Sequence, residues 1–207
     1  MTPMSAAPAY GDETQPSAHL RVLGGTGDES RRRAETAVAD LLTALGRDVT
    51  NENLVDTPRR VAASLLELLT PEEFTMTTFP NTEGYSDLVV VRDIPFHTLC
   101  EHHLLPFRGV AHVGYLPADR LLGLSKLARV VDLFARDLQV QERLTRQVAD
   151  YLQDQLDPRG VGVVIVAEHL CMSMRGIQAA GARTITSTFF GVLTEEGPLR
   201  HQFAGNY

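Results

Sequence analysis

The sequence predicts an α+β domain in which an antiparallel sheet carries helices on one face. Hydrophobic periodicity runs helical, alternating, helical and alternating again, giving two helices, two strands, two helices and two strands. The strand-like segments come in neighbouring pairs, as hairpins do, and not singly between helices as in a parallel sheet. Gly160-Val161-Gly162 opens a strand instead of linking a strand to a helix, so it lacks the setting of a dinucleotide fingerprint.

Residues 1–28 are rich in Ala, Pro, Ser, Thr and Gly and read as a flexible arm before a domain over 29–207. Within the arm, Gly24-Gly25-Thr26-Gly27 is linker, because no Gly-Lys-Ser/Thr follows it and no strand precedes it. From Ser30 onward Ala34, Val38, Leu41, Leu42 and Leu45 share one helical face, and Gly46 is a stop. A second helix starts at Asp56-Thr57-Pro58, a capping side chain followed by proline in the first turn, and buries Val61, Leu65, Leu66 and Leu69. Residues 29–80 thus form a helical part, and 81–207 carry the sheet. A strand over 87–94 closes at Pro95, and another over 110–116 ends at Pro117. The next helix presents Leu127, Val130, Val131, Phe134 and Leu138; its successor presents Leu144, Val148, Leu152 and Leu156. Strands over 161–167 and 184–193 complete the order.

At 207 residues, 43% of them hydrophobic and 22% charged, the chain has the balance of a soluble globular domain with a real core. A net charge of −7 excludes a general nucleic-acid or membrane-surface binder while allowing a local basic pocket. The N-terminus lacks the basic start and apolar run of a secretory signal, and no stretch reaches the roughly 20 apolar residues of a membrane span. A cytoplasmic location is expected, where the two cysteines, Cys100 and Cys171, suit metal or catalytic work better than a disulfide.

The densest chemical signal is Cys100-Glu101-His102-His103. Cys-x-x-His offers one metal ion a thiolate and an imidazole, both accepted by zinc, and Cys171 is the natural third ligand. Three protein ligands would leave a position for water, as in catalytic zinc sites. The alternative is two unrelated buried thiols among solvated histidines. His102 and His169 flank the metal-ligand positions and titrate near neutrality, which suits proton transfer. His112 alternates with Val110 and Val113 and reads as structural. Lys126 and Arg129 share a helix face, and Arg175 follows Cys171 in Cys171-Met172-Ser173-Met174-Arg175-Gly176, a cationic set suited to polyphosphate. Glu142 either pairs with Arg146 one turn on or receives the adjacent N–H donors of a guanine edge.

Four motifs together carry a resemblance: Cys100-Glu101-His102-His103-Leu104-Leu105-Pro106-Phe107, Gly123-Leu124-Ser125-Lys126, Gln139-Val140-Gln141-Glu142-Arg143-Leu144-Thr145, and His169-x-Cys171-Met172-x-x-Arg175-Gly176. In this order, over about residues 30–203, the chain resembles the GTP cyclohydrolase I family. The resemblance implies the tunnelling fold, a four-stranded antiparallel sheet backed by helices, and assembly as a homodecamer with active sites between subunits. It implies one Zn2+ per subunit on Cys100, His103 and Cys171, and GTP as substrate. His102, His169 and Ser125 match catalytic positions, and Gln141 and Glu142 match the guanine holders. Lys126, Arg129 and Arg175 match positions around the ribose and triphosphate; Arg60 matches an arginine that reaches a neighbour's triphosphate.

The implied reaction is hydrolytic. Water activated by zinc attacks purine C8 while His169 protonates N7, a second hydrolysis releases formate, and rearrangement gives 7,8-dihydroneopterin triphosphate. His102 would help to open the ribose and Ser125 the later rearrangement. Asp137 and Gln202 depart from the family's usual residues, away from the expected site. Three other readings share some of these residues: a paralogue that stops early, a silent nucleotide-binding module, and a structural zinc protein. The silent module would have lost a ligand or a catalytic histidine, and the structural protein would need a fourth protein ligand.

Overall fold

The computed structural model describes residues 27–205, so the arm expected over 1–28 and its glycine stretch fall almost wholly outside the described residues. The chain divides into two compact units, Met1–Arg59 and Arg60–Tyr207. In the first, α1 (Asp28–Ala44) places Asp28 and Glu29 in its opening turn, where acidic groups favour the positive helix end. It stops at the expected glycine: Gly46 takes φ 74° and donates its N–H to Thr43 O at 2.9 Å. Among the described residues the expected apolar face is only partly covered: Ala34, Val38 and Leu42 are half-buried, while Leu41 and Leu45 are 58% and 64% exposed. The division between the units falls inside α2 (Thr57–Leu68), which opens at Thr57-Pro58 and buries Ala62; Leu65 and Leu66 are half-buried and Val61 is exposed.

In the second unit a small antiparallel pair, β1 (Thr78–Pro80) and β4 (Arg120–Leu122), accompanies the main sheet. That sheet contains β2 (Val89–Cys100), β3 (Pro106–Leu116), β5 (Leu138–Gln139), β6 (Gly160–His169) and β7 (Thr184–Gly191), in the order β5-β2-β3-β6-β7. The four long strands are antiparallel; β5 adds a short parallel contact at Leu99↔Leu138 and Cys100↔Gln139. The helices α3 (Leu124–Ala135) and α4 (Gln141–Leu156) cover one face, so the α+β expectation is met. Their buried stripes are those expected: Leu127, Val130, Val131 and Phe134 from α3, and Leu144, Val148, Leu152 and Leu156 from α4. They meet Phe107, Ala111, Val113, Val163, Ile165 and Ala167 of the sheet, each fully buried. On the opposite face, α6 (Pro198–Ala204) packs Phe203 with Leu88, Leu116, Val164 and Leu193. Phe203 occupies the space that a side chain at Gly162 would need: a Cβ there would lie 2.9 Å from its ring.

Several boundaries differ from expectation, among them the start of β3, at Pro106 instead of residue 110. Strand β2 does not close at Pro95 but continues to Cys100. Pro95 pairs with Val110 while β5 reaches only Leu99 and Cys100, so the missing N–H falls on an open edge. Leu138 leaves α3 for β5, because Asp137 Oδ1 accepts the Leu138 N–H at 2.7 Å and turns the chain out of the helix. The last strand ends at Gly191, whose φ of 56° starts a turn in which Thr194 N bonds to Gly191 O. The strands β1, β4 and β5, and the helices α5 (Leu170–Ser173) and α6, are too short to show a period in sequence.

Candidate active site

The β2–β3 hairpin and the end of β6 build the site. After Cys100 the chain turns tightly: Leu104 N and His103 N both bond to Cys100 O, at 2.9 and 3.3 Å, and Cys100 N bonds to Leu105 O at 2.9 Å. Leu104 takes φ 53°, a left-handed position that releases the chain into Pro106 and β3. The β3–β6 register sets Phe107 opposite His169, and α5 carries Cys171 directly beyond. Residues far apart in sequence are thereby brought together by one strand pairing.

Among the described residues, the side chains that converge as a metal-binding group are Cys100, His103 and Cys171, with ligand atoms within 4.8 Å of one another. Cys100 Sγ lies 3.8 Å from His103 Nδ1 and the same distance from His102 Nδ1, but the converging set contains His103. A tetrahedral zinc with bonds of roughly 2.0–2.3 Å sets its ligands about 3.3–3.8 Å apart, so the donor set fits in type and spacing. Burial pushes the Cys171 thiol up, neighbouring Cys100 adds to this, and Arg175 opposes it. Two buried sulfurs this close are what a divalent cation stabilises as thiolates.

His169 stacks on Phe107 with ring centroids 4.4 Å apart and planes 8° from parallel, and its Nε2 lies 2.8 Å from Gln141 Oε1. Burial lowers its pKa, and the charge of Glu142 works the other way. His102 is more open: its Nε2 lies 3.9 Å from Glu101 Oε1. Glu101 is held in turn by Arg143 at 2.6 Å, and Arg143 also donates to Gln139 Oε1 at 3.0 Å and to Leu138 O. This chain ties the Cys100–His103 turn to the start of α4.

Glu142 is exposed and forms no ion pair among the described residues. Arg146 pairs with Asp150 instead, at 2.8 Å, and lies over the Phe190 ring. Gln141, expected at the guanine, is 1% exposed, and its amide meets Ile165 O, Thr184 O and Thr186 Oγ1. Arg175 points one guanidinium nitrogen at Cys171 O, 3.5 Å away. Ser125, Lys126 and Arg129 ride the first turns of α3, where Lys126 Nζ lies 5.8 Å from the Phe74 ring centre; among the described residues no hydrogen bond links them to the metal-ligand group. Arg60 stands exposed on α2. His112, read as structural, is buried in β3 with Nδ1 accepting the Asp93 N–H at 3.3 Å.

Phe107 and the Glu101–Arg143–Gln139 chain were not singled out from sequence. Both lie inside the motifs that carry the resemblance, but no spacing rule assigns a stacking partner across two strands or a carboxylate partner on a distant helix.

The family model described as GTP cyclohydrolase I matches residues 34–206. A GTP cyclohydrolase 1 of Allorhizobium ampelinum is 52% identical over 183 residues, covering 86% of this chain and 91% of that protein. One from Brucella anthropi is 52% identical over 170 residues, 80% of each chain. A solved archaeosine synthase QueF-like protein in its apo form aligns with 51% of this chain and 94% of its own, with a TM-score of 0.41 and 16% identity.

Proposed function

The chain belongs to the GTP cyclohydrolase I family, and on that premise we propose how its own residues carry the hydrolysis of GTP to 7,8-dihydroneopterin triphosphate. The observation that carries the assignment of residues is the convergence of Cys100, His103 and Cys171 beside a buried, stacked His169.

Cys100, His103 and Cys171 would hold the zinc, which when bound supplies Lewis acidity and makes water nucleophilic near neutral pH. Glu142 offers its exposed carboxylate to the two N–H groups on the guanine edge, and so would orient C8 toward the metal-ligand group. His169 gives a proton to N7 as C8 is attacked, which weakens the bond to be broken. His102, held near Glu101, serves the ribose steps with Ser125. Lys126, Arg129 and Arg175, with Arg60, neutralise the triphosphate, which suits Arg and Lys in an otherwise acidic chain. We place the working enzyme in the cytoplasm as a homodecamer with sites between subunits. No helix among the described residues is long and apolar enough to cross a membrane.

Incubation of zinc-loaded protein with GTP, following formate and a fluorescent pterin after oxidation, tests this reading. The wild type should give both products, and Cys171→Ala should lose bound zinc and give neither. Formate without pterin would identify a paralogue that stops early. Neither product from a zinc-loaded wild type would return the chain to a nucleotide-binding role.

A further inference from the structure

Gln141, the first residue of α4, has its amide orientation fixed by its surroundings. Nε2 lies 3.0 Å from Ile165 O and 3.0 Å from Thr184 O. Backbone carbonyls only accept, so this end of the amide carries the hydrogens. The third neighbour, Thr186 Oγ1 at 3.1 Å, agrees. Thr145 spends its hydroxyl hydrogen on Gln141 O at 2.7 Å, so across the 2.6 Å contact between the two threonines Thr186 donates. The Thr186 oxygen is then left to accept from the amide. Two amide hydrogens are shared among three acceptors, and no flipped amide satisfies the same set.

With the NH2 end fixed, Oε1 faces His169 Nε2 at 2.8 Å. An amide oxygen only accepts, so His169 Nε2 must carry a hydrogen. The Phe107 stack holds the ring in its plane. Among the described residues, His169 Nδ1 has no hydrogen-bond partner. We infer that Gln141 is a positioning residue that holds the His169 ring through its Nε2–H, so that the Nδ1 edge is the one left open to other partners. This rests on the reading of His169 as the proton donor to the purine. It gives Gln141 a different task from its neighbour Glu142: one orients the acid, the other the substrate.

The direct test is magic-angle-spinning NMR of wild-type protein labelled with 13C,15N-histidine, zinc-free and zinc-loaded. The difference spectrum against His169→Gln assigns the His169 ring. A protonated Nε2 is expected in both preparations, and a bare Nε2 overturns the inference. Gln141→Met, of similar volume, should yield a mixture of tautomers. Its kcat for GTP should fall at least about tenfold, within the roughly 10²–10⁴ that a positioned acid–base group contributes, with KM changed less than about threefold. A raised KM with kcat retained would make Gln141 a substrate contact, and an unchanged tautomer with unchanged kcat would end the proposal. If Gln141→Met does not fold, the wild-type spectrum decides. A wild type with the expected tautomer but no formate release would mark a failure of the functional reading and not of the tautomer assignment.

Discussion

At the scale of single residues, adjacent side chains have opposite fates. Gln141 and Glu142 begin the same helix, yet one is buried against the sheet and the other opens to solvent. Helical geometry turns successive residues by about 100°, so neighbours in a motif need not share a role. The exposed Glu142 carboxylate, without an ion pair among the described residues, leads to a prediction. A charge-assisted hydrogen bond contributes about 1.5–3 kcal/mol, so Glu142→Gln should lower kcat/KM for GTP about 10–100-fold. Most of the preference for GTP over inosine triphosphate, which lacks the 2-amino donor, should vanish with it. Steady-state kinetics with both nucleotides measures this, and a preserved preference would place guanine recognition elsewhere. The pair His102–His103 shows the same principle. Both imidazoles approach Cys100 equally, and only the position of Cys171 distinguishes a ligand from its neighbour.

At the scale of elements, the central strands carry both the site and the opposite face. Strand β3 meets β6 so closely that a Cβ on Gly109 would lie 1.9 Å from Val166 O, which keeps the Phe107–His169 register in place. Nearby, the β2 bulge between Val91 and Ile94 sets Asp93 at φ 55° and brings its N–H to His112 Nδ1. Burial holds the His112 ring below its ordinary value of 6.5, with Asp93 opposing and Arg92 reinforcing. The unfolded chain then takes up this proton first. The contribution of His112 to stability is therefore complete above the ordinary value and is lost as pH falls below it toward the folded value. Urea unfolding between about pH 7.5 and 5.5 should show a smaller loss of stability on acidification for His112→Asn than for wild type. Equal losses would mean that the bulge does not sense the ring's charge.

At the scale of the whole molecule, apolar surface remains uncovered. Leu41 and Leu45 on α1, and Met174 and Ile177 beyond Cys171, are 58%, 64%, 64% and 78% exposed. We propose that other copies of the chain cover this surface. Wild-type protein should sediment as a large homo-oligomer, and replacing Leu41 and Leu45 together by Asp should shift it to a smaller species. An unchanged sedimentation coefficient would assign the contacts to other surfaces. The exposed segment after Cys171 adjoins Arg175, so a neighbouring copy that covers it would also lie beside the proposed triphosphate cations.

The sequence by itself determined the helices α3 and α4, because their buried stripes recur over three or more turns, long enough for periodicity to be unambiguous. It offered candidate ligands as well, since only two cysteines exist and His103 stands three residues after Cys100. Tertiary structure decided what depends on strands far apart in the chain. The β3–β6 register stacked Phe107 on His169, the open edge of β2 allowed a strand to run through Pro95, and the carbonyls of Ile165 and Thr184 oriented the Gln141 amide. Each of these is set by a neighbour tens of residues away, and side-chain periodicity along one segment carries no record of which strand will lie beside it.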